Sequence, residues 1–165
     1  VRVVAVDPGL HGALALIKED GSVKIYDTPI RLWESKSRAN KETYDYDIRA
    51  CRKLLKKLVN GKKTKICLEG VHPFLGSKVS NFLLGRSKGI WEATIVSLGL
   101  DYSLVPMRSW ITYFFGKEKR KDKKKSNLKM ASKLFPEAKK YFKLKKHDGR
   151  ADSVLIAEFV RRNSK

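Results

Sequence analysis

The chain opens on an apolar run that ends in a carboxylate: Val3, Val4 and Val6 lead to Asp7, and Pro8-Gly9 follows at once. β-branched residues favour an extended, buried strand, and Pro-Gly forces a turn immediately after the acid. Two more apolar runs follow, 12–17 and 23–28, with Asp20-Gly21 as the tight turn between them. Three strands on short turns predict an antiparallel meander. Residues 29–41 are polar and read as a loop.

Helical periodicity begins at Ile48. Ile48, Cys51, Leu54, Leu55, Leu58 and Val59 share one face, and Asn60-Gly61 closes the helix. Residues 64–69 form another strand, again ending in a carboxylate, Glu69. A helix between the meander and this strand predicts a crossover that lays it parallel to the first. Asp7 and Glu69 then leave the sheet at the same edge and face one pocket.

Ser77 is placed to cap a long helix running to about Leu98, with Val79, Phe82, Leu83, Ile90 and Ile95 on its buried side. Residues 101–106 predict a strand. Residues 108–115 predict a short aromatic helix whose Trp110, Tyr113, Phe114 and Phe115 favour core packing over base stacking. Residues 127–135 predict a helix stopped by Pro136. The stretch from His147 to Ser153 leads into an apolar helix over 154–160, with Asp148 and Asp152 at or just before its start. A helix N-terminus favours a carboxylate, but one cap needs only one Asp.

At 165 residues the chain predicts one domain with a real core, and 42% hydrophobic content predicts a folded one. No run approaches the ~18 apolar residues of a membrane span, and no leader precedes Asp7. A soluble, intracellular protein is expected. Cys51 and Cys67 lack metal-ligand spacing and read as buried free thiols. Charge changes the picture most. Thirty-seven basic residues face 17 acidic ones, a net +20, which is the footprint of a polyanion binder. The block 116–126 carries Lys117, Lys119, Arg120, Lys121, Lys123, Lys124 and Lys125. It predicts a segment that does not pack and stays mobile until it meets phosphate.

A basic protein must keep acids away from a phosphate ligand unless something neutralises them. Mg²⁺ prefers oxygen ligands and takes a few carboxylates together with water and substrate phosphate. A pair of such ions can activate a water and stabilise the leaving oxygen of a phosphodiester. Acids clustered without metal would raise one another's pKa.

Three motifs then converge: Val-Asp-Pro-Gly at 6–9 with Gly12-Ala13, Leu-Glu at 68–69, and His-Asp-Gly-Arg-Ala-Asp-Ser at 147–153. In this order, and nearly end to end, the chain resembles the RuvC-like Holliday junction resolvases of the ribonuclease H-like superfamily, phage-type members especially. The resemblance implies an α/β fold, a ribonuclease H-like mixed sheet of three antiparallel then two parallel strands flanked by helices. It implies one RuvC-like nuclease domain over 1–165. It also implies a homodimer that resolves four-way DNA junctions by paired nicks, leaving 5′-phosphate and 3′-hydroxyl ends. Asp7, Glu69, Asp148 and Asp152 become the catalytic and metal-holding acids for two Mg²⁺, with Mn²⁺ able to substitute, and Asp7 bridging the pair. One departure stands out: the family usually spaces its last two metal-site residues by three, and Asp148 and Asp152 are four apart.

The resemblance also places the loop after Glu69 in the junction, with Phe74 as the stacking aromatic. The expected DNA contacts are Phe74, Lys78, Arg86, Lys117, Lys119, Arg120, Lys121, Lys123 and Lys124. Lys117 or a neighbour is expected at the scissile phosphate, His147 either assists the attacking water or is an ordinary surface residue, and the helix over 82–98 forms the dimer surface. Two alternatives stay open. One is another nuclease of this superfamily acting on flaps or RNA–DNA hybrids. The other is a non-enzymatic basic nucleic-acid-binding protein. A sugar-kinase-like ATPase also begins strand–Asp–Gly but needs more than twice this length.

Overall fold

The computed structural model describes residues 1–33, 43–72, 77–117 and 119–164. Its centre is a five-stranded sheet built from β1 (Val3–Val6), β2 (Ala13–Ile17), β3 (Val23–Asp27), β6 (Lys65–Gly70) and β7 (Ser103–Pro106), in the order β3-β2-β1-β6-β7. β3, β2 and β1 are antiparallel, whereas β6 and β7 run parallel to β1. This is the predicted mixed sheet. The parallel return of β6 follows from the crossover through α1 (Ile48–Val59), which Asp47 caps at Ala50 N and Asn60 ends in the left-handed conformation.

Side chains alternate across the sheet and divide the core in two. Val4, Val6, Leu14, Leu16, Ile66 and Leu68 face α1 and α2 (Lys78–Val96). Val3, Ala5, Ala13, Ala15, Ile17 and Cys67 face the other way, toward α3 (Met107–Phe115), α4 (Lys123–Leu134) and α5 (Asp148–Arg162). Small residues on this second face, together with Gly149, Ala151 and Ala157, let α5 lie close on the sheet. Both cysteines are buried free thiols, as expected. No helix among the described residues is long and apolar enough to cross a membrane.

Four expectations need correction. Residues 29–41 are not all loop: β4 (Ile30–Trp33) pairs antiparallel with β5 (Thr43–Tyr46) in a separate two-stranded ribbon. Four-residue strands are too short for their alternation to stand out in a polar stretch. The inner stripe of α2 is also different. Ser87, Trp91, Thr94 and Ile95 are buried, whereas Val79, Phe82 and Leu83 are 67%, 69% and 50% exposed. Packing against the sheet selects one stripe at helical spacing, and the apolar residues of the first turns fall off it.

The basic block is better ordered than its composition predicts. Asp122 accepts from Lys125 N at 3.0 Å and starts α4 four residues before the expected boundary. Arg120 stacks over the Phe115 ring at 4.1 Å and bonds Asn127, so Phe115 and α4 hold part of the block. Finally, α5 begins at Asp148 with no side-chain cap bond, and it carries both of its N-terminal acids inside the helix.

Candidate active site

The site grows out of the sheet's period of two. Val6 pairs with Leu68 in parallel register, so Asp7 and Glu69, one residue further on, stand level at the same edge. Ala5 and Cys67 face α5, and residues two further along a strand point to the same side. Both carboxylates therefore project toward α5. There Asp148 and Asp152 are one turn apart and share a helical face. The spacing of four is what a helix requires to aim both acids at one place.

Two glycines let these elements meet. A Cβ on Gly12 would sit 2.3 Å from the Asp7 carbonyl oxygen and 2.8 Å from that of Gly9, so the turn behind Asp7 closes only without a side chain. A Cβ on Gly149 would sit 2.7 Å from the His11 carbonyl oxygen and 2.9 Å from Asp7 Oδ2. Gly149, between the two helical acids, brings the first turn of α5 against the Asp7 turn.

Each acid has its own partner. Gly9 N–H donates to Asp7 Oδ1 at 3.1 Å. The indole N–H of Trp110 donates to Glu69 Oε1 at 3.0 Å, and Asn127 Nδ2 donates to Asp152 Oδ1 at 2.6 Å. Lys124 pairs with Asp148. At Asp7, Glu69 and Asp152 the donors favour the charged carboxylate but do not outweigh its surroundings. Burial, then the charge of Asp148, raises the Asp7 pKa well above the ordinary carboxylate range, against the Gly9 N–H and Lys124. Burial, then Asp7 and Asp152, raises Glu69, which is only 7% exposed. Burial, then Asp7, lifts Asp152 to about 7 despite its Asn127 bond. The acids thus form one electrostatic unit that resists full ionisation on its own.

Such a unit fits a divalent cation in its donor chemistry. The four side chains offer only oxygen, as hard cations prefer, and a cation offsets the repulsion that raises Asp7, Glu69 and Asp152. Among the described residues, no three His, Cys, Asp or Glu side chains converge into a ready-made metal cage.

The other expected site residues are dispersed. Lys124 belongs to the acid cluster itself, and Arg120 lies behind it, bonded to Asn127. Lys117, Lys119, Lys121 and Lys123 are exposed, and Lys121 and Lys123 line a groove with Arg120 and Lys124. Lys78 is exposed at the start of α2. Arg86 makes a bidentate pair with Asp45 at 2.8 and 2.9 Å, which ties α2 to β5. Phe74 lies outside the described residues. His147 Nδ1 accepts the Leu144 amide at 3.3 Å, which engages the imidazole in holding its own turn.

Three supports went unforeseen. Trp110 is in the core, as expected, yet its indole N–H reaches Glu69. Asn127 is buried and reaches Asp152. Tyr46 donates its hydroxyl to the Pro8 carbonyl at 2.8 Å and meets the Ser87 hydroxyl at 2.7 Å, bracing the turn after Asp7 from the opposite side.

No protein-family model matches this sequence, and no curated protein matches it. Solved structures do. The chain is similar to T. thermophilus RuvC in complex with Holliday junction substrate, with a TM-score of 0.58 at 8% identity, covering 99% of this chain and 96% of that one. It is similar to a second Thermus thermophilus RuvC structure, with a TM-score of 0.58 at 10% identity, covering 98% and 96%. The fold is therefore the RuvC and ribonuclease H-like fold, a mixed sheet flanked by helices.

Proposed function

We propose that this chain is a RuvC-like, divalent-metal-dependent endonuclease of the phage type, a single nuclease domain that resolves four-way DNA junctions as a homodimer. One observation carries the reading. Four acids from three elements stand at one edge of a +20 protein, close enough that burial and mutual repulsion hold three of them above their ordinary pKa. A protein that only binds nucleic acid gains nothing from such a cluster. The structural neighbour bound to a Holliday junction supports branched DNA as the substrate class.

Asp7, Glu69, Asp148 and Asp152 would hold two Mg²⁺ ions, with Mn²⁺ able to replace them. When bound, these ions supply activation of a water and charge stabilisation at the leaving oxygen. The chain's own residues arrange the rest. Asp7 lies close enough to raise the pKa of acids on both β6 and α5, so it would be the ligand shared between two ions. Trp110 and Asn127 each fix a carboxylate by holding one of its oxygens. Lys124 sets an ammonium beside the acids, where it meets the charge of the scissile phosphate. Exposed Lys119, Lys121 and Lys123 guide the strand toward that edge. Two sites must face two opposed strands, and the exposed apolar Val79, Phe82 and Leu83 of α2 supply a surface for a second copy.

Cleavage of end-labelled four-way, flap and RNA–DNA hybrid substrates with Mg²⁺ tests this. Symmetric paired nicks confined to the four-way junction are expected. Cleavage of the hybrid instead would reassign the substrate, and no cleavage of any of the three would overturn the nuclease.

A further inference from the structure

Beside the acids lies a cavity of about 730 Å³ most of whose walls the metal-site reading does not use. Its walls come from separate elements. Leu10 and His11 belong to the turn after β1, Ile30 begins β4, and Leu144 precedes the turn into α5. Leu144 is 51% exposed and Ile30 37%, so both present apolar surface to solvent. The Asp27–Arg150 pair closes another side, with two bonds of 2.5 Å that fix the guanidinium plane. Lys124 and Asp148 line the cavity as well, which makes it continuous with the acid cluster. Lys146 and Lys124 also line the neighbouring basic groove, so a phosphate backbone has cationic side chains on its way in.

We infer that this cavity seats one unstacked nucleotide of the cut strand, adjacent to the scissile phosphate, and that Leu144, Ile30 and His11 set the base preference of cleavage. The inference rests on the nuclease reading above. Apolar walls and a fixed guanidinium plane suit the two faces of a base, and bases differ enough in stacking strength to give a modest preference. Lysines at the mouth suit the phosphates on either side of it. The volume matches a small-ligand site and is far too small for a duplex, so a base must leave its stack to enter. A branch point offers such a base at low cost. Leu144 and His11 are exposed, so truncating either changes the cavity and leaves the core alone.

A four-way junction library with all bases varied around the crossover tests this, read as the distribution of cut sites for the wild type, Leu144→Ala and His11→Ala. The wild type is expected to discriminate modestly at one flanking position, and both Leu144→Ala and His11→Ala to lose most of that discrimination. In parallel, 2-aminopurine at that position should brighten on binding Asp7→Asn, and this response should shrink in Asp7→Asn/Leu144→Ala. Unchanged preference and unchanged fluorescence in the variants would overturn the pocket while leaving the nuclease standing. A variant that alters only the salt dependence of binding would assign the cavity to the phosphate backbone and also overturn it. A wild-type protein that cuts no branched DNA would remove both readings together.

Discussion

The indole N–H of Trp110 donates to Glu69 Oε1 at 3.0 Å, inside the core and 41 residues away in sequence. A residue that belongs to the packing of α3 thereby orients an acid at the end of β6. The donor favours the charged form of Glu69 against burial and against Asp7 and Asp152. Trp110→Phe keeps most of the packing and removes the donor. Its carboxylate then ionises at still higher pH, so the acidic limb of the cleavage profile should move upward. Mg²⁺ affinity should fall roughly 10- to 100-fold, as when a supporting shell is cut. A pH–rate profile and a Mg²⁺ titration of the folded variant check both; an unmoved limb would reduce Trp110 to packing.

Metal-free protein should lose stability as the pH rises. Asp7, Glu69 and Asp152 have folded-state pKa values above their ordinary ones, so the native state holds more protons than the unfolded chain over that interval. Their contribution is complete below the ordinary carboxylate range and fades as pH climbs through about 6 for Asp7, about 7 for Asp152 and about 8 for Glu69. Asp27, Asp45 and Glu158, lowered by their arginine partners, act in the opposite sense and only in more acidic solution. Melting curves in chelator from pH 4.5 to 8 should show a falling Tm, and Mg²⁺ should restore it near pH 8 but not at pH 4.5. A flat profile in chelator would contradict the coupling of the acids.

The strand ends were legible because their signals are local. A β-branched run closing on Asp7 before Pro8-Gly9, and a second run closing on Glu69, needed only strand propensity and the crossover rule. The pair Asp148 and Asp152 is legible as a spacing, but the helix start at Asp148 is not, because Gly149 inside the first turn looks like a break. Its reason is tertiary: only glycine fits against His11 and Asp7. Trp110 on Glu69 and Asn127 on Asp152 leave no periodic trace, since each joins two elements far apart in the chain. The exposure of Phe82 was hidden for the opposite reason, because apolar residues at helical spacing look alike whether they face a core or solvent.

Binding to branched DNA should weaken steeply with salt, since each lysine–phosphate contact releases a counterion. Lys119, Lys121 and Lys123 are exposed, and the last two line a groove with Lys124, which pairs with Asp148. Changing all three to Gln should reduce the log–log salt slope by about 2–3 if each meets a phosphate. Fluorescence anisotropy across a range of salt measures it. An unaltered slope would assign these lysines to solubility.

Divalent ions should separate binding from turnover. Mg²⁺ or Mn²⁺ should support cleavage, whereas Ca²⁺, with longer bonds and a looser shell, should support binding with little turnover. Gel-shift and cleavage assays on one preparation resolve the two. Full activity in excess chelator would remove the metal-dependent mechanism.

Asp7→Asn divides an active site from a structural turn most sharply. The amide keeps the volume of the side chain, and its Oδ1 can still accept the Gly9 N–H that Asp7 holds at 3.1 Å. The negative charge between the α5 acids and Glu69 is lost. A bridging Asp7 predicts cleavage reduced at least about a hundredfold, as for other groups that stabilise transition-state charge. Junction affinity should hold or rise, because one charge that repels phosphate has gone. Metal-free stability at neutral pH should rise too, since Glu69 and Asp152 are relieved of a neighbour that raises both their pKa values. A turn residue predicts the opposite: roughly 0.5–2 kcal/mol of stability lost and cleavage scaled only by the folded fraction. Tm in chelator, junction affinity and cleavage rate on one preparation distinguish them. A folded Asp7→Asn protein that cuts at near wild-type rate would sink the assignment of this edge as the active site.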